Sequence, residues 1–322
     1  MEKIAEILTP DIRSVVIAGH VNPDGDCVGS CMALALYVKK NYPKISVTVC
    51  LEELRDALQE MTGGWPVISD PDEAERLEEP DLFVLLDASS FDRIGVAKEL
   101  FKRCSRTVCI DHHLTNDGLC RVNHIFPEVG SCCEVLYELL DKEALDRDIA
   151  RELYTGIIHD TGVFQYSNTR PRTHEIAAEL IAYGFDFSRI IYDTFRSRSF
   201  AEARFLGYCL NKSLLFAGGR VVVSSATADE MRTYGMKHSD VGEVVTQLRL
   251  TQGTDAAVFV YETGEGLCKV SLRSGPNSDV DRAAAALGGG GHKKAAGCTV
   301  SGTPESVIKT VVAELAKDLD EA

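Results

Sequence analysis

Long apolar runs are missing from this chain of 322 residues. No stretch approaches the roughly 18 consecutive apolar residues of a membrane span, so no helical membrane segment is expected. The opening MEKIAEILTPDIRS has neither a basic start nor an apolar core, and no signal peptide is expected. No CxxC pair occurs among the 11 cysteines, whose count is odd and whose spacing is scattered. That argues against a disulfide scaffold and a structural zinc site, and reduced thiols in a cytoplasm fit such usage. Positive charge is scarce as well: 34 Lys and Arg face 49 Asp and Glu, a net charge of −15. Proteins that coat long nucleic acids draw affinity from a broad basic surface, so no long-nucleic-acid track is expected. A small phosphorylated ligand stays compatible, because a metal or a local Arg/Lys/His cluster supplies a positive field. Internal repeats are absent, and AAAALGGGG (283–291) is the one low-complexity stretch.

What remains reads as strands alternating with helices. SVVIAGH (14–20), ISVTVC (45–50), LFVLLDA (82–88) and TVCIDHH (107–113) are short, β-rich and apolar, as strands buried on both faces are. CMALALYVKK, between the first two, reads as a helix, and the alternation predicts a parallel sheet with crossover helices. Past residue 130 helical patterns dominate, in CCEVLYELLDKEA, DIARELYTGIIHD and RTHEIAAELIAYG. Strands then return with polar breaks, in GRVVVSSAT, DAAVFVYETG and LCKVSLRSG. The expected architecture is α/β: an N-terminal parallel-sheet domain (1–185), a helical linker (186–215) and a smaller α/β domain (216–322).

Ligands of parallel sheets bind beyond the carboxyl ends of the strands, and the polar residues cluster there. GHVNPDGDCVGS (19–30) packs His20, Asp24 and Asp26 into seven residues among the turn-formers Asn22, Pro23, Gly25 and Gly29. The third strand ends at Asp87 and the fourth at Asp111, His112 and His113. GIIHDTG offers Asp160 before a glycine turn. A lone Asp at a strand end is most often a turn-former or helix cap, and a lone His pair most often structural. Their coincidence at four element ends points to one shared site. Carboxylates with imidazoles suit Mn²⁺, with Fe²⁺, Co²⁺ and Zn²⁺ as further options. Six ligands exceed the need of one ion with open positions, whereas two ions about 3.5–4 Å apart, bridged by a carboxylate, would use them all.

These residues carry a resemblance. The sequence resembles the DHH-family phosphoesterases, named for the Asp-His-His triplet at Asp111–His113, over about residues 10–318. It looks most like the branch with a DHHA1 C-terminal domain that contains oligoribonuclease/pAp phosphatases. HVNPDGDCVGS and GGGGHKKAAG are its most specific motifs. The resemblance implies a site of two Mn²⁺, with His20 and Asp24 matching ligands of one ion, Asp26, His112 and Asp160 those of the other, and Asp87 the bridge. His113 matches the histidine that faces the phosphate, and Asp111 a residue that supports a histidine. Cys27 stands where relatives often carry a small residue and is expected to serve packing.

The stretch SLRSGPNSDVDRAAAALGGGGHKKAAGC offers four glycines that let a ligand approach the backbone. His292 and Lys293 are expected to open a helix whose N-terminus attracts anions. Arg273 leaves a strand and can grip phosphate through two N–H groups. By resemblance, Arg273, Gly290, Gly291 and His292 match a substrate-binding domain. The expected function is a cytoplasmic Mn²⁺-dependent phosphohydrolase. Its expected substrates are very short RNA oligonucleotides, cleaved to 5′-nucleoside monophosphates, and nucleotide bisphosphates such as 3′-phosphoadenosine 5′-phosphate, cleaved to AMP. Rival readings are a phosphodiesterase of cyclic-dinucleotide turnover (pApA, pGpG or c-di-AMP), an inorganic pyrophosphatase and a non-catalytic nucleotide-binding module. Oligomeric state stays open, a homodimer being one option.

Overall fold

A computed structural model of the chain describes residues 3–54, 56–264, 266–275 and 278–320. The chain divides into two compact units, Met1–Ser197 and Arg198–Ala322, and the division falls within the stretch 186–215. Among the described residues no helix is long and apolar enough to cross a membrane.

The first unit is built on a sheet of parallel strands: β1 (Ser14–Ala18), β2 (Ser46–Cys50), β3 (Val67–Ile68), β4 (Leu82–Leu86), β5 (Thr107–Asp111) and β6 (Val122–Ile125). Their order is β3-β2-β1-β4-β5-β6. Strands β4 and β5 are buried at every position, which explains their unbroken apolar sequences. The polar VNHI of β6 gave no such signal; as an edge strand it buries little, and it adds to the four strands expected. The strand order reverses between β1 and β4, the switch point where a crevice opens at the carboxyl ends. Register aligns those ends, Ala18 with Leu85 and Leu86 with Ile110, so the residues just beyond them emerge side by side.

The helix after β1 starts earlier than its apolar stretch suggests, spanning Gly25–Asn41. Gly25 and Gly29, expected in turns, lie inside it. Asp24 caps it, its carboxylate accepting the Asp26 and Cys27 amides at 3.1 Å each. Gly29 is needed by packing: a Cβ there would stand 2.7 Å from the Glu152 carbonyl and 3.0 Å from the Gly156 nitrogen. Helices Gly25–Asn41 and Arg147–Asp160 therefore touch backbone to backbone, and the metal-type residues at their ends are carried on one rigid pair.

The second unit is a mixed sheet of β7 (Leu214–Phe216), β8 (Val221–Ala226), β9 (Ala256–Gly264), β10 (Leu267–Ser274), β11 (Gly290–His292) and β12 (Ala295–Ser301), in the order β11-β12-β10-β9-β8-β7. Strict alternation in β9 covers both faces. Ala256, Val258 and Val260 join a core with Val307 and Val311 of helix Pro304–Asp320. Ala257, Phe259 and Tyr261 join one with Phe205 and Cys209 of helix Phe200–Asn211.

One expectation fails here. No helix opens at His292: Gly290, Gly291 and His292 pair with Gly297, Ala296 and Ala295 in an antiparallel hairpin. β12 is already committed to β10 over seven residues, and it recruits the glycine run as its other neighbour. A Cβ on Gly291 would stand 2.5 Å from the Ala295 carbonyl, so the run is glycine because a backbone lies against it. The helix-terminus account of anion binding at His292 and Lys293 is thereby withdrawn.

Candidate metal centre

Four segments deliver polar side chains to the crevice of the first unit. β1 runs on into His20, β4 into Asp87, β5 into Asp111–His113, and helix Arg147–Asp160 ends at Asp160. The six residues expected as metal ligands form one cluster. His20 Nε2 lies 3.7 Å from Asp24 Oδ1 and 3.4 Å from Asp87 Oδ2. His112 Nε2 lies 3.1 Å from Asp160 Oδ2, 3.4 Å from Asp87 Oδ1 and 3.9 Å from Asp26 Oδ2. His113 Nδ1 is 3.6 Å from Asp87 Oδ1.

Asp87 is the middle of this arrangement. It is 2% exposed, and Oδ1 has no hydrogen-bond partner among the described residues. Its backbone takes a left-handed φ of +57°, a conformation that costs a non-glycine residue about 1–3 kcal/mol. A strained, buried, unsatisfied carboxylate between imidazoles is unfavourable by itself, and a cation shared on both sides would relieve it.

The imidazoles are oriented from behind. His20 Nδ1 lies 2.8 Å from the Val21 carbonyl, an acceptor, so Nδ1 carries a hydrogen and Nε2 is turned toward the carboxylates. His112 Nδ1 faces the Val129 carbonyl at 3.3 Å in the same way. His113 Nδ1 donates to Asp111 Oδ1 at 2.7 Å. Asp111 is in turn fully occupied, accepting the His112 amide at 2.8 Å and the Asn116 side-chain amide at 2.7 Å. It supports His113, not the cluster itself. Asp26, wholly buried, accepts the backbone N–H groups of Cys132 (2.6 Å) and Cys133 (3.0 Å) at the start of helix Cys132–Leu139. That helix terminus steadies its charge.

Charge crowding is severe. Burial, and then the negative charges of Asp87 and Asp160, hold the Asp26 pKa well above the usual carboxylate range. Burial also raises Asp160, against its bond to His112. For His112 burial opposes the charged ring, but Asp160 and Asp87 outweigh it and push the pKa up to about 12. His113 is raised too, burial being outweighed by Asp111 and Asp87. Divalent cations suit this set of hard carboxylates and imidazole nitrogens, since a bound cation would take the place of the ring protons that the carboxylates now favour. Groups of donor atoms within 4.8 Å of one another comprise Asp26, His112 and Asp160; Asp87, His112 and His113; and His20, Cys27 and Asp87. Cys27 is fully buried, burial raises its thiol pKa, and its Sγ accepts the His20 amide at 3.3 Å.

The residues expected to bind substrate lie in the second unit. Arg273 and His292 stand opposite Ala295 on either side of β12. Arg273 Nη1 donates to the Leu272 carbonyl at 3.0 Å. The His292 side chain lies outside the described part of the structure. A Cβ on Gly290 would meet nothing closer than Asp281 Oδ1 at 4.0 Å, so its surface is open. Sequence reasoning counts Lys294 among the cations of this segment but misses its neighbour Arg249. Arg249 Nε donates to the Ser274 carbonyl at 2.9 Å, and Lys294 Nζ to the Gly275 carbonyl at 2.6 Å, bringing both to the end of β10. Burial and then the positive charges of Lys293 and Arg249 lower the Lys294 pKa. Nothing local in "TQLRL" marks Arg249 as part of this patch. Asn116 was missed for the same reason; a single Asn in "HLTND" carries no pattern.

Comparison with known proteins bears on the family and the fold. Residues 14–157 match the DHH family, N-terminal domain, and residues 218–321 the DHHA1 domain. The chain is 30% identical to the bifunctional oligoribonuclease and PAP phosphatase NrnA of Thermus thermophilus, over 98% of this chain and 95% of that protein. It is 26% identical to the protein of the same name from Bacillus subtilis, over 89% of each. Among solved structures, an exopolyphosphatase-related protein from Bacteroides fragilis superposes with a TM-score of 0.88 at 26% identity, over 95% of this chain and 93% of that one.

Proposed function

We propose a function from one premise: this chain belongs to the DHH family and carries a DHHA1 domain toward its C-terminal end. It is a phosphoesterase of a metal-dependent family. Its substrates are very short RNA oligonucleotides, released as 5′-nucleoside monophosphates, and 3′-phosphoadenosine 5′-phosphate, converted to AMP. Two Mn²⁺ would serve it: His20 and Asp24 would hold one, Asp26, His112 and Asp160 the other, and Asp87 would be shared. The observation that carries this reading is the partnerless Oδ1 of buried Asp87, with His112 Nε2 3.4 Å away.

Bound ions of this kind lower the pKa of a coordinated water and neutralise phosphate charge. The chain's own residues do the rest. Asp111 keeps His113 oriented and, against burial, favours its charged ring, which places the imidazole to hydrogen-bond a phosphoryl oxygen. Asn116 holds Asp111 in place. Arg273, the glycine hairpin with Gly290 and Gly291, and His292 bind the phosphates and sugar away from the reacting bond. Lys293, Lys294 and Arg249 complete that cationic patch. Substrate length follows from charge: a handful of cations neutralises few phosphates, and a net charge of −15 repels the remainder of a long strand.

A substrate panel tests the reading. With Mn²⁺, 3′-phosphoadenosine 5′-phosphate and RNA of two to four nucleotides should turn over fastest, and a strand of twenty-odd nucleotides slowly, with a shallow salt dependence. Turnover of c-di-AMP with neither short RNA nor the bisphosphate cleaved would replace this function by cyclic-dinucleotide turnover.

A further inference from the structure

The end of the first unit holds a feature that the metal chemistry leaves unused. Residues Ile191–Arg196 wind as a π-helix, closed by the Ser197 amide on the Tyr192 carbonyl at 2.6 Å. Such wide turns are rare and concentrate at functional sites. This one is fastened to the metal centre. The Thr194 hydroxyl donates to the Ile190 carbonyl at 2.9 Å and accepts from His159 Nε2 at 3.0 Å. The next residue, Phe195, sets its ring edge-to-face on His159, centroids 5.8 Å apart at 81°. His159 in turn lies flat behind Gly25: a Cβ on Gly25 would overlap its ring. Gly25 separates Asp24 from Asp26, and His159 directly precedes Asp160. Phe195 thus packs on a histidine whose charge bears on the Asp24 carboxylate, and it is still 38% exposed.

Exposed phenyl rings are common and mean little alone. Phe195 differs in its setting: its ring packs on His159, and Thr194 ties the turn that carries it to the same histidine. A fixed, half-open aromatic face beside a phosphate-handling centre matches what a nucleobase uses, since every base has a π-face and stacking is tolerant of sequence. We propose that Phe195 is the stacking face for the base of the nucleotide whose phosphate sits at the metal centre, making it a determinant of preference for nucleotides over simple phosphate esters. This rests on the nucleotide substrate class proposed above.

Two measurements on the full-length chain with Mn²⁺ test it. The first is steady-state kinetics on a diribonucleotide and on its counterpart lacking both bases. Phe195→Ala should raise KM for the diribonucleotide about 5- to 150-fold, the span of one lost stacking contact, at nearly constant kcat. The base-less substrate should be unaffected. Phe195→Trp should keep wild-type behaviour. Tyr192→Ala, which removes a ring 61% exposed on the same turn, should change neither substrate. Equal losses on both substrates would overturn the proposal and leave Phe195 as a prop for His159; no loss on either would overturn it as well. The second is calorimetric affinity for AMP against ribose 5-phosphate. Phe195→Ala should weaken AMP and spare ribose 5-phosphate, and unchanged AMP affinity, or no AMP binding by the wild type, refutes the contact. Binding is read without turnover, so a wild type that cleaves no diribonucleotide defeats the functional reading while the stacking contact is still judged by AMP.

Discussion

The two units solve opposite electrostatic problems. In the first, a parallel sheet gathers Asp24, Asp26, Asp87 and Asp160 around buried imidazoles, and the carboxylates push one another's pKa values up. In the second, a mixed sheet gathers Lys293, Lys294 and Arg249 at one strand end, and the cations push a lysine's pKa down. Each crowd is unfavourable by itself, and each is relieved by a ligand of the other sign. The difference in topology matters. Parallel strands release residues at aligned carboxyl ends, where distant segments converge on a point and can enclose an ion. An antiparallel hairpin spreads residues along an edge, where backbone and side chains face an extended ligand.

The contrast is broken most severely at Asp87. Replacement by Ala removes the oxygen shared between the imidazoles, and turnover should fall by at least three orders of magnitude. Metal analysis of the folded variant should find fewer ions than in the wild type. A variant with two Mn²⁺ per chain and near-normal activity would remove the bridge.

The second unit should respond differently. Arg273→Ala and Lys294→Ala should leave metal content unchanged and raise KM, each by about 10- to 150-fold, the effect of losing a charged hydrogen bond of about 1.5–3 kcal/mol. Metal loss in either variant would place these residues in the first unit's chemistry and erase the distinction between the two crowds.

The smallest effect isolates burial from crowding. Glu152 is fully buried in helix Arg147–Asp160, with Arg151 Nε on Oε1 at 2.8 Å and no hydrogen-bond partner for Oε2 among the described residues. Burial, against the Arg151 charge, raises its pKa to about 7. A carboxyl whose folded pKa is raised stabilises fully below its unfolded value of about 4.5, and that stability is lost as pH rises through about 7. Glu152→Gln should therefore be more stable than wild type at pH 8, by up to about 3 kcal/mol, with the gap closing toward pH 5. Denaturant midpoints across that range check it, and parallel curves for the two proteins would mean the buried carboxyl does not titrate there.

Much of the first unit is legible in residue order. Buried strands declare themselves by unbroken apolar runs, and a strand's end is where its next polar residue stands, so His20, Asp87 and Asp111–His113 can be placed before any coordinates. Asp24 and Asp26 are nearly as clear, although their segment was read as a turn. A short cap-and-glycine sequence suits a turn or a helix start, and contact with helix Arg147–Asp160 selects the helix. The glycine-rich tail was misread because Gly and Ala carry no periodic side-chain pattern. Its state was set by the vacant edge of β12.

What the sequence by itself determined is therefore local: which segments are strands, in what alternation, and which charged groups leave their ends, since a period of two or 3.6 residues and a cap act over a few positions. What only the tertiary structure decided is long-range. It seats Asp26 on the amides of Cys132 and Cys133, 106 and 107 residues away. It brings Arg249 to Ser274, and it brings Asn116 to Asp111. None of these partners has a pattern of its own. Each is chosen because a buried polar group must find a hydrogen bond within reach, and reach exists only once the chain has folded.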